Sequence, residues 1–149
     1  MNAFASTVAS AALLAASLAL PASAEAPYSC VEGLTPGALF AMMDRIGEIT
    51  GLPVAATTPR ILCVPEQTIE DLAERAAGDS REHLAGYDPD ARVIYLNAAY
   101  DFVTDKPHVL AHELTHHLQW RAVVGAVMTS REREAQARVV EKAGWEVVR

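Results

Sequence analysis

Several features are scarce or absent in this sequence, and each absence narrows the possible functions. Only two cysteines occur in 149 residues, and neither lies in a C-x-x-C pattern, which disfavours thiol redox chemistry and a cysteine-ligated zinc site. Acidic residues outnumber basic ones by 19 to 12 without any basic cluster, so the protein is a poor candidate for nucleic-acid binding. Internal repeats and low-complexity segments are also lacking. We therefore expect one ordinary domain rather than an array or a linker protein.

The beginning of the chain has the pattern of an export signal. Residues 3–20 carry no charge and consist mostly of Ala, Leu, Val and Ser, and Ala22 and Ala24 supply the small residues that precede signal-peptidase cleavage. The pattern departs from the usual one because no Lys or Arg precedes the apolar run. We predict a signal peptide at 1–24, a single domain at 25–149, and a periplasmic or secreted protein with no membrane span in the mature chain.

The two cysteines fit this compartment. In an exported protein a cysteine pair usually forms a disulfide, so we predict a bond between Cys30 and Cys63. This bond would tie the beginning of the mature chain to the segment before the second helix. Closing that loop should stabilise the fold by roughly 3–4 kcal/mol in the chain-entropy model.

Apolar periodicity and turn residues predict a small α+β domain in the order helix, strand, helix, hairpin, helix, helix. The predicted elements are a helix from Pro36 to Gly51, a strand at 60–64, a helix at 68–77, a hairpin at 83–97, a helix from Pro107 and a last helix to about Gly144. On the helix that begins at Pro107, Trp120 is assigned to the face that packs against the core. On the last helix the residues expected to face the core are Ala135, Val139, Val140 and Ala143.

Residues 112–116 read His-Glu-Leu-Thr-His, which is the H-E-x-x-H pattern. Residues four apart lie on the same face of a helix, so His112 and His116 can bind one metal ion from one side. Glu113 then points toward the same site, where it can take a proton from a metal-bound water. The motif lies within a helical pattern, as this geometry requires. These residues therefore indicate a zinc-dependent hydrolase.

A catalytic zinc site generally has a third protein ligand beside a water. The extended motif of the metzincin peptidases would need Gly at 119 and His at 122, where this chain has Gln119 and Ala122, so that class is excluded. The remaining common source is an acidic residue on a following helix. A break at Gly125 would let the last helix, with its glutamates at 132 and 134, pack back against the motif helix.

The motif together with this glutamate-bearing helix resembles the gluzincins, the zinc peptidases with H-E-x-x-H and a glutamate ligand. The resemblance covers about residues 83–142, including Val109-Leu110-Ala111-His112-Glu113-Leu114-Thr115-His116-His117-Leu118-Gln119, and is to minimal bacterial metallopeptidase-like proteins. It implies a minimal zincin-like α+β domain in which helices pack on a small sheet or hairpin. It also implies one Zn²⁺ per chain and a peptide or protein substrate.

In this class the third ligand often lies in an E-x-x-A pattern, which occurs twice here. Glu132 and Glu134 are two residues apart and point about 160° away from each other on a helix, so both cannot be ligands. We prefer Glu132, because Gln136 stacks on the same face and could hydrogen-bond a ligating histidine. Glu134 remains the alternative third ligand. We rank it second because its spacing to Arg138 and Arg131 is typical of a solvated ion-pair face.

The resemblance also implies a mechanism in which Glu113 acts as the general base on zinc-bound water. The class usually has an additional donor to the oxyanion, and the sequence does not rank the candidates, which are Tyr87, Tyr95, Tyr100 and His83. The strand at 92–97 is expected to hold an extended substrate by edge pairing, as such enzymes do. His117 is turned about 100° from His116, and we interpret it as a packing or surface residue.

Two other interpretations remain open at the level of sequence. The first is a zinc-binding protein of the cell envelope that is not a peptidase, because the chain is short and shows no second lobe to enclose a substrate. The second is an α+β protein without metal. Glu113 favours chemistry over both, since a purely structural zinc site has no need of it.

Overall fold

The computed structural model describes residues 30–75, 84–122 and 127–145, and the predicted signal peptide and His83 lie outside these ranges. The described residues form a small mixed α+β protein with four helices and a three-stranded sheet, in the predicted order. The elements are α1 (Pro36–Thr50), β1 (Arg60–Val64), α2 (Glu66–Arg75), β2 (Ala85–Asp88), β3 (Val93–Asn97), α3 (Pro107–Arg121) and α4 (Ser130–Glu141). No helix in the described ranges is both long and apolar enough to cross a membrane.

Local signals set the ends of α1. The hydroxyl oxygen of Thr35 accepts a hydrogen bond from the backbone N–H of Ala38, and Pro36 occupies the first turn, where its missing N–H costs nothing. Gly51 ends the helix at φ 73°, a left-handed conformation that a glycine adopts without steric cost. The predicted bounds of α1 are thus confirmed.

The sheet has the strand order β1-β3-β2. The predicted hairpin is confirmed by the antiparallel pairing of β2 with β3, and the carboxylate of Asp88 shapes its turn by accepting from the backbone N–H groups of Asp90 and Ala91. β1 pairs in parallel with the other side of β3. The expectation of substrate pairing at residues 92–97 is therefore wrong, because β3 is hydrogen-bonded on both sides and β2 is an edge strand among the described residues.

Helix α3 lies at the centre of the domain and packs against α1, α4 and β2. The fully buried side chains of α3 form one core with fully buried side chains of α1 and β3. This core includes Met43, Ile46, Ile94, Leu96, Leu110, Leu114 and Leu118. The predicted disulfide between Cys30 and Cys63 is confirmed, and it joins the segment before α1 to β1. The motif helix is thus held on several sides by apolar packing.

The predicted core face of α4 needs correction. Ala137 and Val140 are buried, whereas Ala135 and Ala143 are exposed and Val139 is 59% exposed. Alanine and valine residues lie on several sides of this helix, so its apolar periodicity did not identify a single core face. The packing against α3 determines which side of the helix faces inward. Trp120 on α3 is also exposed, and the guanidinium of Arg133 lies over its ring, 4.8 Å from the centroid.

Candidate metal centre

Three side chains from two helices converge on one point. His112 and His116 lie one turn apart on α3, and their Nε2 atoms are 3.1 Å apart. The carboxylate of Glu134 on α4 approaches both, with Oε1 3.1 Å from Nε2 of His116 and Oε2 3.5 Å from Nε2 of His112. These three residues are the group of potential metal ligands that the described part of the chain brings together.

The structure therefore places Glu134, and not the preferred Glu132, with the two histidines. The carboxylate of Glu132 accepts hydrogen bonds from the backbone N–H and the hydroxyl of Thr129, at 2.7 and 2.8 Å, and so completes a capping box at the beginning of α4. The physical reason for this difference is that the wrong face of α4 was predicted to pack against the core. With Ala137 turned inward, Glu134, one turn earlier, lies toward the histidines.

Gln119 determines the tautomer of His116. Both N–H groups of its amide nitrogen are used, one donating to the backbone carbonyl of Arg133 at 3.0 Å and the other to Oε1 of Gln136 at 2.9 Å. Its Oε1 therefore faces Nδ1 of His116, at 2.9 Å, and can only accept. When the ring is neutral, Nδ1 therefore carries the proton and Nε2 presents a lone pair to the site.

Glu141 determines the tautomer of His112 in the same way. Its Oε2 lies 3.3 Å from Nδ1 of His112, and an ionised carboxylate can only accept a hydrogen bond. In the neutral ring the shorter contact, to Glu141, favours the proton on Nδ1, since Nε2 of His112 lies 3.5 Å from the carboxylate of Glu134. A carboxylate or amide behind a histidine is the usual support of a metal-ligating imidazole, because it fixes the ring and increases its basicity.

Gln136 was predicted to contact a ligating histidine, but the structure places it one step further out. It accepts from Gln119, which contacts His116 directly. Sequence reasoning missed both Gln119 and Glu141 as supporting residues. Gln119 could have been found, because it lies three residues after His116 on the same helix. Glu141 lies two turns beyond Glu134, and its role becomes visible only once the face of α4 is known.

The result is a set of acceptors that face one another: two imidazole lone pairs and one carboxylate. Such an arrangement is repulsive unless a cation or a proton lies between them. Tetrahedral coordination with zinc–nitrogen bonds of about 2.0–2.1 Å would place ligand atoms about 3.3 Å apart. The spacings of 3.1 and 3.5 Å in this centre match that value, so the donor set fits a zinc ion.

The pKa values of the centre show the same demand for positive charge. Burial by itself would lower the pKa of His112, but the carboxylates of Glu134, Glu113 and Glu141 together raise it. When the two imidazole rings are protonated, their hydrogen bonds to Glu134 hold the pKa of its carboxyl far below its usual range. The site thus stabilises a cation, whether as protons on the imidazoles or as a metal ion.

Glu113 is buried beside this centre, with 7% of its surface exposed. Burial raises its pKa, and the neighbouring histidines partly offset this effect. No hydrogen bond to its carboxylate is formed by the residues at 30–75, 84–122 and 127–145. A buried carboxylate without a donor costs free energy, so the position of Glu113 is not explained by its contribution to stability.

His117 belongs to the core and not to the centre. Its Nε2 donates to the backbone carbonyl of Thr57 at 3.1 Å, so its Nδ1 accepts from the hydroxyl of Tyr87 at the same distance. Burial lowers the pKa of His117, which keeps the ring neutral. These two hydrogen bonds join α3 to β2 and to the loop before β1. One of them uses the hydroxyl of Tyr87, which is one of the four candidate oxyanion donors.

The other candidates for oxyanion donor have different surroundings. Tyr100 is 39% exposed, and its ring contacts the ring of Phe102 edge-on and the ammonium group of Lys106, which lies 5.5 Å from the ring centroid. Tyr95 is half-buried in the central strand β3. His83 lies outside the described residues. No geometry within the described residues assigns the oxyanion role to any of them.

Comparison with known proteins gives a family but no function. A family model described as "Domain of unknown function (DUF6647)" matches residues 36–145, which include every described helix and strand. No curated protein and no solved structure gives a significant match.

Proposed function

This chain belongs to the family described as Domain of unknown function (DUF6647), and we propose that it is a zinc-dependent hydrolase that cleaves peptide bonds. One observation supports this most directly: three acceptors, from His112, His116 and Glu134, converge beside the buried carboxylate of Glu113. A structural metal site is closed by four protein ligands, whereas a catalytic one has three and keeps a position open. The described residues supply three.

In this proposal the two imidazoles and the carboxylate of Glu134 hold one Zn²⁺ per chain. The bound ion supplies a Lewis acid that polarises the substrate carbonyl and makes water a better nucleophile at neutral pH. Two neutral histidines and a single carboxylate ligand leave one positive charge on the ion, which this chemistry needs. Gln119 and Glu141 keep both histidines in the tautomer that presents Nε2 to the ion.

Glu113 acts as the general base. Burial raises its pKa toward the range in which it can both accept and release a proton, and its carboxyl is coupled electrostatically to both histidines. It takes a proton from the attacking water and gives it to the leaving amine. The carboxylate returns to its ionised state at the end of the cycle.

A peptide is the substrate class that the sheet supports. β2 is an edge strand of the described sheet, and it packs against α3, which carries Glu113 and both histidines. An extended peptide can add to such an edge by main-chain hydrogen bonds. The resemblance of residues 83–142 to gluzincins supports the same class and a zincin-like fold. The disulfide supports export to the periplasm or the medium.

The test separates zinc binding from hydrolysis. The disulfide-bonded protein is loaded with zinc, and release of fluorescent fragments from an unfolded labelled protein is followed for the wild type and for Glu113→Gln. We expect cleavage by the wild type, abolition by a chelator, and restoration by zinc. Glu113→Gln should keep its zinc and lose cleavage by at least a factor of about 100.

Asp105→Asn is the matched control, because this exposed carboxylate precedes α3 and should leave cleavage unchanged. A zinc-loaded wild type that cleaves none of a broad set of unfolded proteins and peptides would contradict the peptidase proposal. That result would favour a zinc-binding envelope protein without peptidase activity. Equal cleavage by Glu113→Gln and the wild type would contradict the assigned base.

A further inference from the structure

The side chains that contact Nδ1 of the two histidines differ in charge and in burial. His112 is backed by a half-exposed carboxylate at 3.3 Å, whereas His116 is backed by a fully buried neutral amide at 2.9 Å. The amide belongs to Gln119, which is surrounded by the interface between α3 and α4. A buried primary amide must find partners for one oxygen and two N–H groups, and Gln119 finds all of them inside the protein.

The partners of Gln119 lie on both sides of the metal centre. Its oxygen accepts from Nδ1 of His116 on α3, and one N–H donates to the backbone carbonyl of Arg133 on α4. Arg133 immediately precedes Glu134. One side chain therefore contacts the imidazole of one ligand and the backbone next to another ligand.

The connection continues through Gln136 to α1. Oε1 of Gln136 accepts from Gln119, and its amide nitrogen donates to the carbonyl of Thr50 at 3.4 Å. Thr50 is the last residue of α1, where backbone carbonyls lack partners within the helix. The donor and acceptor roles of both amides are thus fixed in one direction, from the imidazole of His116 to the C-terminal end of α1.

We propose that Gln119 and Gln136 form an amide relay that sets the tautomer of His116 and holds α4 in the position that brings Glu134 to the centre. Both are positioning residues, because each acts through a ligand and neither contacts the ion. The inference rests on the proposed function in taking the three ligands as a zinc site. It adds that the geometry of this site depends on two neutral side chains between the helices.

The first experiment reads the tautomer directly. Long-range ¹H–¹⁵N spectra of the imidazole groups are recorded on the metal-free, disulfide-bonded protein at alkaline pH. The relay predicts that His116 in the wild type carries its proton on Nδ1, and that Gln119→Met loses this preference. A purely structural role for Gln119 would not change the tautomer.

The second experiment measures zinc affinity by competition with a chromophoric chelator. Gln119→Met should weaken binding by about 10- to 100-fold, the usual effect of removing a group that supports a ligand. Gln136→Met should also weaken it. Gln136→Glu keeps an acceptor for Gln119 but loses the donor to Thr50, so its affinity should lie between those of the wild type and Gln136→Met.

A double variant protects the test from a folding failure. Gln119→Met combined with Gln136→Met removes both polar groups of the pair, and such paired apolar replacement is tolerated better than leaving one partner unsatisfied. Its fold is checked by circular dichroism before its zinc affinity is measured. It should fold and bind zinc as weakly as Gln119→Met.

The outcomes distinguish the relay from the proposed function. If the metal-free wild type carries the proton of His116 on Nε2, or if the folded double variant binds zinc within about threefold of the wild type, the relay is contradicted. If the wild type binds no zinc but shows the predicted tautomer, the zinc hydrolase fails while the tautomer-setting role of the relay stands. If the wild type binds zinc but the metal-free protein carries the proton of His116 on Nε2, the relay fails while the proposed zinc site stands.

Discussion

Oε1 of Glu134 lies 3.1 Å from Nε2 of His116, although the two residues belong to different helices. The contact depends on the packing of α3 against α4, which is the most extensive helix–helix contact among the described elements. Ala137 and Val140 are buried in this contact and turn Glu134 toward α3. The position of Glu134 beside the histidines is therefore a property of tertiary packing.

The carboxylate of Glu141 should matter for zinc binding although it is not a ligand. It is the partner of Nδ1 of His112, so Glu141→Leu removes the group that orients the ring and increases its basicity. We expect zinc affinity, measured by chelator competition, to fall by about 10-fold. Glu48→Leu, on the exposed side of α1, is the control and should bind as the wild type does. Unchanged affinity in Glu141→Leu would show that His112 needs no carboxylate partner.

The hydroxyl of Tyr87 should serve stability rather than catalysis. Tyr87→Phe leaves Nδ1 of the buried His117 without its donor, which should lower the free energy of unfolding by about 1 kcal/mol. Urea unfolding measures this loss, while zinc content and the rate of peptide cleavage should stay at wild-type values. A large loss of cleavage at unchanged stability would instead identify Tyr87 as the donor to the oxyanion.

Much of the fold could be predicted from local signals, and the reason is visible in particular residues. Thr35, Pro36 and Gly51 set the ends of α1 through contacts within a few residues. The turn after Asp88 set the hairpin in the same way. The parallel pairing of β1 with β3 was not predicted, because it joins segments about thirty residues apart and has no local signature.

The metal centre was predictable only in part for the same physical reason. His112, Glu113 and His116 are related by the geometry of one helix, which the sequence alone determines. The choice between Glu132 and Glu134 depends on the rotation of α4, and alanines and valines on several sides of that helix left the rotation ambiguous. Glu132 also has a local role as a helix cap that competes with a role at the centre.

The disulfide should contribute substantially to stability. The bond joins residues 33 positions apart, and the chain-entropy model gives about 3–4 kcal/mol for a loop of this size. Denaturant unfolding with and without a reductant should show this difference, and labelling of the denatured, non-reduced protein should find no free thiol. Equal unfolding midpoints under both conditions would contradict a stabilising role of the bond.

The central claim is that His112, His116 and Glu134 hold one zinc ion, and elemental analysis of purified protein tests it most directly. The wild type, Glu134→Gln and Glu132→Gln are compared, and the last is a matched control because a glutamine can also complete a capping box. We predict about one zinc per chain in the wild type and in Glu132→Gln, and a sharp loss in Glu134→Gln. Absence of zinc from the reconstituted wild type, or its loss from Glu132→Gln with retention in Glu134→Gln, would contradict this account.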